Sequence, residues 1–167
     1  MTTSAPLQTA DARPVAYEPL SDPRLYEGVL SRRVLAFCVD FAVVLTLTAA
    51  ASVVIFFLGV LTLGLAWLLY GGVFYAMAIL YSGATLGGDR AATWGMRLTG
   101  LTCRLQDGTR PTFLIAAAHV VFLYFSMTFL TPFVLLVGLF TQRKQLLHDL
   151  ILSTLFVDRG RLEGRGV

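Results

Sequence analysis

The stretch that decides the fold is residues 41–88, which read FAVVLTLTAAASVVIFFLGVLTLGLAWLLYGGVFYAMAILYSGATLGG. A second stretch without Asp, Glu, Lys or Arg covers residues 111–142. A transmembrane helix needs about 20 mostly apolar residues to cross a hydrocarbon core of about 30 Å, and both stretches meet this requirement. A chain of 167 residues is too short to bury both in a soluble core. The sequence therefore predicts an integral membrane protein surrounded by a lipid bilayer.

The composition points to the same class. Of the residues, 56% are hydrophobic and 14% are charged, whereas an average soluble domain is about 45–50% apolar and about 25% charged. The net charge of +3 comes mainly from arginines that flank the uncharged stretches. This pattern fits attraction to a membrane surface and not binding of nucleic acid. Cys38 and Cys103 have no disulfide or metal-ligand spacing, so we expect ordinary thiols, no cofactor and no metal.

Three long apolar helical segments are predicted, which makes the fold class an all-α integral membrane protein. Residues 34–58 and 65–82 form a helical hairpin, because only a short uncharged turn separates them. Residues 113–140 form the third segment, which is kinked or re-entrant at Pro132, since proline removes a hydrogen-bond donor inside a helix. The predicted parts of the chain are a disordered tail at residues 1–25, a membrane domain at 26–158 and a basic tail at 159–167.

A small polar loop separates the second and third segments. Residues 94–101 are expected to form an interfacial helix that turns Arg97 to water, followed by a short strand at residues 101–105. Residues 153–157 are also rich in residues that favour strands. The two strands can pair if both lie on the same side of the membrane.

Basic residues near a membrane mark its cytoplasmic side. They occur before the first segment and throughout the polar loop, so we expect the N-terminus and the loop in the cytoplasm. The C-terminal tail is basic as well, although three full crossings would place it outside. Two explanations stay open: the rule fails at the last segment, or that segment returns at Pro132 and leaves the C-terminus inside.

Charged and titratable residues in or beside the apolar segments are the candidate site residues. Arg33 and Asp40 share one face of a helix but are about 10 Å apart along its axis, which is too far for direct contact. Arg33 can sit at headgroup level, whereas Asp40 lies deeper. A charge at the centre of a membrane helix costs about 2.5–3.5 kcal/mol, so Asp40 needs either a water-filled ion path or a structural partner. Asp149 and His148 interrupt a short apolar stretch. His148 either handles ions or protons, since histidine titrates near neutral pH, or belongs to a solvated polar face. His119 is expected to form a hydrogen bond between helices.

Three motifs around these residues resemble those of the RDD family of bacterial multi-pass membrane proteins. Residues 26–40, with Tyr-Glu-Gly and then Arg-x-x-Ala-x-x-x-Asp, resemble its opening element. Residues 92–101, ATWGMRLTGL, are similar to its Thr-Pro-Gly-Lys-Arg-x-x-Gly-Leu element, with Trp94 in place of Pro and Met96 in place of Lys. Residues 142–154, QRKQLLHDLILST, resemble its closing element.

The resemblance implies that the family's one arginine and two aspartates correspond here to Arg33, Asp40 and Asp149. It also implies a location in the bacterial cytoplasmic membrane, without an established activity. No phosphate-binding loop, serine-nucleophile motif or kinase motif is seen, and we expect no enzyme.

Two functions stay open. One is transport of ions or small solutes, in which the chain acts as a homo-oligomer or as a subunit with another membrane protein, because three segments are too few to enclose a pathway. The other is a non-catalytic scaffold or assembly partner that a cluster of Arg33, Asp40 and Asp149 stabilises. Arg97 and His148 are possible accessory residues in either case.

Overall fold

The computed structural model describes residues 20, 22–130 and 143–164. The predicted kink at Pro132 and most of the predicted disordered tail lie outside these residues. The helices and strands follow in this order: a 3₁₀ turn Pro23–Tyr26, α1 Val29–Leu61, a 3₁₀ helix Leu65–Gly71, α2 Val73–Leu86, α3 Trp94–Leu98, β1 Leu101–Leu105, α4 Phe113–Leu130, α5 Leu147–Ile151, β2 Thr154–Asp158 and α6 Arg159–Glu163.

Helix α1 confirms the first predicted segment and extends it at both ends. It has 33 residues, which at 1.5 Å per residue gives about 50 Å. It begins after Gly28, whose φ of 67° places the chain in the left-handed region that glycine tolerates. Among the described helices, α1 is the one that is long and apolar enough by itself to cross a membrane.

The second predicted segment is not one continuous helix. The 3₁₀ helix Leu65–Gly71 and α2 meet at a bend of 62°, next to the pair Gly71 and Gly72. Glycine disfavours a helix interior by about 1 kcal/mol relative to alanine, which makes this pair a natural place for the break. The two parts together still qualify as one bent span by length and composition.

The predicted hairpin is present, with the chain folded back closely on α1. Tyr70 donates from its hydroxyl to the carbonyl of Ser52 at 2.9 Å. The Trp67 indole lies against Gly59, where a Cβ would be only 1.9 Å from the indole Nε1. The close approach therefore depends on the missing side chain at Gly59.

Three long apolar helices are not confirmed. Helix α4 begins as predicted at Phe113, and its described length is 18 residues; the described residues Phe113–Ser126 count as a shorter apolar helix and not as a membrane span. It packs against α2 through Phe113, whose backbone would be 2.6 Å from a Cβ at Gly87. The described residues thus contain one candidate span in α1, a second if the bent pair counts as one, and a shorter apolar helix.

The fold is mostly helical but not all-α, because β1 and β2 form a two-stranded antiparallel sheet. Leu101 pairs with Asp158, Cys103 with Phe156 and Leu105 with Thr154, so the predicted strand pairing is confirmed. The second strand begins one residue later than predicted, since Ser153 takes a φ of 53° in the preceding turn. Paired strands must lie on one side of any membrane, which favours the alternative that puts the C-terminal region on the side of the polar loop.

The sheet belongs to a polar cap, which we define as α3, β1, α5, β2 and α6. Leu20 and Leu25 are fully buried against Leu155, Val157 and Leu162 of this cap. The folded region therefore includes residues from both predicted tails. Burial also raises the pKa of the Cys103 thiol in β1 to about 12, so this cysteine is an unreactive core residue.

An ion pair fastens the polar cap to the start of α1. Arg32 Nη1 lies 2.7 Å from Asp158 Oδ2, and Asp158 Oδ1 accepts a hydrogen bond from the Arg161 amide at 3.1 Å. Partial burial alone would raise the pKa of Asp158, but the hydrogen bonds from Arg32 and from the Arg161 amide hold it below its usual value. Asp158 is therefore ionised at neutral pH.

Arg32→Ala should lower the free energy of unfolding by about 1 kcal/mol at neutral pH, because the pair is partly exposed to water. A depressed carboxyl pKa stabilises the fold above the ordinary pKa of about 3.9, and this contribution is lost as the pH falls through the folded-state value. We therefore expect the free energies of unfolding of wild-type and Arg32→Ala protein, measured with denaturant in detergent, to become more similar below about pH 4. A difference that does not change with pH would show that the ion pair is not its cause.

Candidate functional site

Arg33 points from α1 towards α5 and meets Asp149. Its Nη1 lies 2.5 Å from Asp149 Oδ2, and the exposed fractions of the two side chains are 12% and 0%. The same nitrogen donates to the carbonyl of Lys144 at 3.4 Å. The guanidinium carbon lies 4.0 Å from the ring centroid of Phe156. A carboxylate, a carbonyl and an aromatic face thus hold one buried guanidinium.

Asp149 also organises the segment around it. Its Oδ2 accepts a hydrogen bond from the amide of Leu146 at 2.8 Å, which caps the start of α5. Its Oδ1 accepts from the Thr154 hydroxyl at 3.4 Å, in β2. Burial alone would raise the pKa of this carboxyl, but the charge of Arg33 and its hydrogen bond hold it below the usual value. Asp149 is therefore an ionised carboxylate that joins α1, α5 and β2.

Asp40 lies two helical turns further along α1 and has different partners. Its Oδ1 accepts hydrogen bonds from the Tyr81 hydroxyl at 2.6 Å and from the Gly95 amide at 2.8 Å. Its Oδ2 accepts from the Thr93 hydroxyl at 2.6 Å. Asp40 thus ties α1 to α2 and to the first turn of α3.

The backbone of α3 can reach Asp40 because residue 95 is glycine. A Cβ there would be 2.1 Å from the carbonyl oxygen of Ala36 and 2.9 Å from Cγ of Asp40. Thr93 caps α3 by accepting from the Met96 amide at 3.2 Å. The Trp94 amide donates to the Tyr81 hydroxyl at 3.0 Å. Specific contacts thus fix the start of this small helix to α1 and α2.

The structure therefore brings two of the three candidate charges together. Arg33 and Asp149 form one pair, whereas Asp40 belongs to a second network, as their predicted separation along α1 suggests. The two networks meet at a cavity of about 400 Å³ between α1, α2 and α4. Arg33, Asp40 and His119 reach its wall, and most of the remaining lining is apolar.

His119 and His148 both lie beside Asp149. His119 Nδ1 is 3.6 Å and His148 Nε2 is 3.5 Å from Asp149 Oδ1, and the centroids of the two rings are 4.8 Å apart. His148 is 1% exposed, so the interpretation as a solvated polar face is wrong. Burial lowers the pKa of His148 to about 4, and it is neutral at pH 7. Sequence reasoning missed this contact, because the two histidines lie far apart in the chain and on different helices.

Arg97 is not part of either network. It is half-buried, and its Nε donates to the carbonyl of Ala92 at 3.0 Å. Its guanidinium carbon lies 5.7 Å from the ring centroid of Trp94. The predicted helix around it is also shorter than expected, because Gly100 takes a φ of 71° and starts the turn into β1. Arg97 is therefore bound to its own loop and not turned fully to water.

A comparison with protein families finds one match. The model described as the RDD family matches residues 28–153, a range that includes Arg33, Asp40 and Asp149. Comparison with curated proteins and with solved structures finds no match.

Proposed function

The chain belongs to the RDD family, a membrane-associated family, and from that premise we propose that it is a non-catalytic membrane scaffold. In this proposal Arg33, Asp40 and Asp149 fasten the polar cap to the membrane helices, and the cap presents a fixed surface for assembly. The observation that carries the proposal is that donors of the protein itself hold both carboxylates, from elements distant in sequence.

A carboxylate in an ion pathway must exchange its partners for an ion or for water, and for this reason such residues face water-filled cavities. Asp40 instead accepts hydrogen bonds from Tyr81, Thr93 and Gly95. Asp149 is bound to Arg33 and to the amide of Leu146, with no exposure to solvent. Both sets of contacts join elements that are distant in sequence, which is what a structural fastening requires.

The outer surface of α1 supports a membrane location for the scaffold. Large apolar side chains stand exposed along the helix, among them Leu35 at 61%, Val54 at 66% and Phe57 at 62%. Continuous apolar exposure of this kind suits lipid, a second copy of the chain or another membrane protein. We place the protein in the bacterial cytoplasmic membrane with the polar cap on the cytoplasmic side, since the arginines cluster there.

Transport is the second candidate, and the cavity of about 400 Å³ is the observation that favours it. Its wall combines apolar side chains with Arg33, Asp40 and His119, a composition typical of binding sites for small solutes. A pathway through so few helices would need several copies of the chain. The two candidates differ in whether Asp40 acts through its charge or through its contacts.

Purified protein in liposomes separates the two functions with two measurements, hydrogen–deuterium exchange of the polar cap and uptake of Na⁺, K⁺ or protons. A scaffold should show no uptake above that of empty liposomes. Asp40→Asn should speed exchange in residues 89–111, because it removes the charged acceptor of three hydrogen bonds. Asp107→Asn is the matched control, since Asp107 lies in an exposed turn of the same loop and accepts hydrogen bonds from Thr109 within that turn. Exchange at residues 89–105, outside that turn, should equal that of the wild type.

A transporter gives the opposite pattern. Cation uptake would exceed that of empty liposomes, and Asp40→Asn would abolish it while exchange in the polar cap stayed at the wild-type rate. That combination would replace the scaffold proposal with the transport function.

A further inference from the structure

Three potential metal ligands converge below the cavity. One nitrogen of His119, one nitrogen of His148 and one oxygen of Asp149 all lie within 4.8 Å of one another, and all three residues are buried. Around a tetrahedral Zn²⁺ with bonds of about 2.0–2.1 Å, neighbouring ligand atoms are about 3.3 Å apart. The two distances to Asp149 Oδ1, 3.5 and 3.6 Å, are close to that separation.

The contacts of Ser126 are compatible with a tautomer of His148 that leaves Nε2 with a lone pair. The Ser126 hydroxyl donates to the carbonyl of Leu123 at 3.0 Å. Its oxygen is then free to accept from His148 Nδ1, 3.3 Å away. In this tautomer Nδ1 carries the one N–H of the neutral imidazole, and the Nε2 lone pair faces Asp149 Oδ1, 3.5 Å away.

His148 Nε2 and His119 Nδ1 are both shielded from solvent, and neither has a hydrogen-bond partner in the described part of the chain. A buried nitrogen without a partner is rare in native proteins and requires an explanation. Here a lone pair also faces a carboxylate oxygen, an arrangement that repels unless a positive charge lies between them. A bound cation would remove the repulsion and give both histidine nitrogens a partner.

We propose that His119, His148 and Asp149 bind a divalent transition-metal ion of the Zn²⁺ class. Nitrogen and carboxylate ligands suit these ions, whereas Mg²⁺ and Ca²⁺ prefer all-oxygen sites. Arg33 binds the other carboxylate oxygen, Oδ2, and leaves Oδ1 for the metal. Ser126 orients His148 from behind, as the outer contacts of metal ligands commonly do.

The cavity supplies access to this site. His119 forms part of the cavity wall, so an ion can approach from that side. Three protein ligands leave a fourth tetrahedral position for water or a solute. This assignment does not depend on the scaffold function, because a metal at this position can stabilise a scaffold or take part in transport.

Zinc titration of the full chain tests the proposal. The protein is purified in detergent without a polyhistidine tag, since His119 and His148 are the two histidines of the sequence, and is stripped with a chelator. Calorimetry with Zn²⁺ and elemental analysis should give one ion per chain, with no competition from Mg²⁺. His119→Ala and His148→Ala should each weaken binding by more than about 100-fold, and Ser126→Ala by about tenfold. Asp107→Asn should bind as the wild type does.

Two further measurements keep the result independent of folding defects. Co²⁺ bound to wild-type protein should give the visible absorption of a tetrahedral nitrogen and oxygen site. His148→Cys should retain zinc, because a thiolate is also a zinc ligand. Circular dichroism of each variant tests whether its helix content equals that of the wild type. The proposal is overturned if the wild-type chain binds less than stoichiometric zinc, or if folded His119→Ala and His148→Ala variants bind it unchanged.

Discussion

Asp149→Asn should lower the free energy of unfolding by about 3–5 kcal/mol, which is the usual effect of removing one partner of a buried ion pair. The substitution leaves the guanidinium of Arg33 charged, 12% exposed and without its carboxylate. Asparagine has nearly the same volume as aspartate, so the effect reports the lost charge and not a cavity. Denaturant unfolding of wild-type and variant protein in the same detergent measures it.

The double variant Arg33→Met with Asp149→Leu is the matched control. Replacing both members of a buried pair with apolar residues of similar volume is often close to neutral. The variant also removes the acceptor of the Leu146 amide, so we expect it to regain part of the lost stability. If the free energy of unfolding of Asp149→Asn lay within about 0.5 kcal/mol of the wild-type value, the effect would be that of an ordinary surface substitution. This result would contradict a stabilising role for the ion pair.

Gly95→Ala should destabilise the protein by about 3 kcal/mol through overpacking and a lost hydrogen bond to a charged group. The new Cβ would lie 2.1 Å from the carbonyl oxygen of Ala36 and 2.8 Å from its carbonyl carbon. Helix α3 would have to move away from α1, and the bond from the Gly95 amide to Asp40 would lengthen. The unfolding free energy measures the effect, and hydrogen exchange at residues 93–98 shows whether α3 has moved.

Gly71→Ala is the corresponding control, because no atom outside its own neighbours lies within 4 Å of a Cβ at that position. It should change the stability by no more than about 0.5 kcal/mol. Equal losses in the two variants would mean that glycine replacement itself, and not the contact between α3 and α1, is responsible.

Much of the fold follows from local properties of the sequence. The uncharged stretch predicts α1, because apolar length is sufficient to indicate a membrane helix. Strand-forming composition also predicts that residues 101–105 pair with 153–157, and the structure pairs them with 154–158, one residue later. The break at Gly71 and Gly72 was missed because the surrounding residues are uniformly apolar, and hydropathy does not distinguish a straight helix from a bent one.

Part of the candidate site can likewise be predicted from the sequence, and part depends on tertiary packing. Sequence motifs identify Arg33, Asp40 and Asp149, and the rise per residue of a helix correctly separates Arg33 from Asp40. The convergence of His119 with His148 depends instead on how α4 packs against α5. His148 and Asp149 are adjacent in the sequence, but one such pair does not signal a metal site, and only tertiary packing brings His119 to them.

The sheet of the polar cap sets an order of assembly during synthesis. Strand β1 leaves the ribosome well before β2, its partner, and the chain between them includes α4. Because domains fold as their segments emerge, α1 and α2 are complete while β1 still has an unpaired edge. The sheet of the polar cap can form only after Asp158, the last residue of β2, has been synthesised. Asp149 is synthesised in the same late segment, and only then can it bind Arg33. A nascent chain that ends before residue 149 would therefore have its apolar helices but lack the ion pair between Arg33 and Asp149. We expect this form to be the most sensitive to proteolysis.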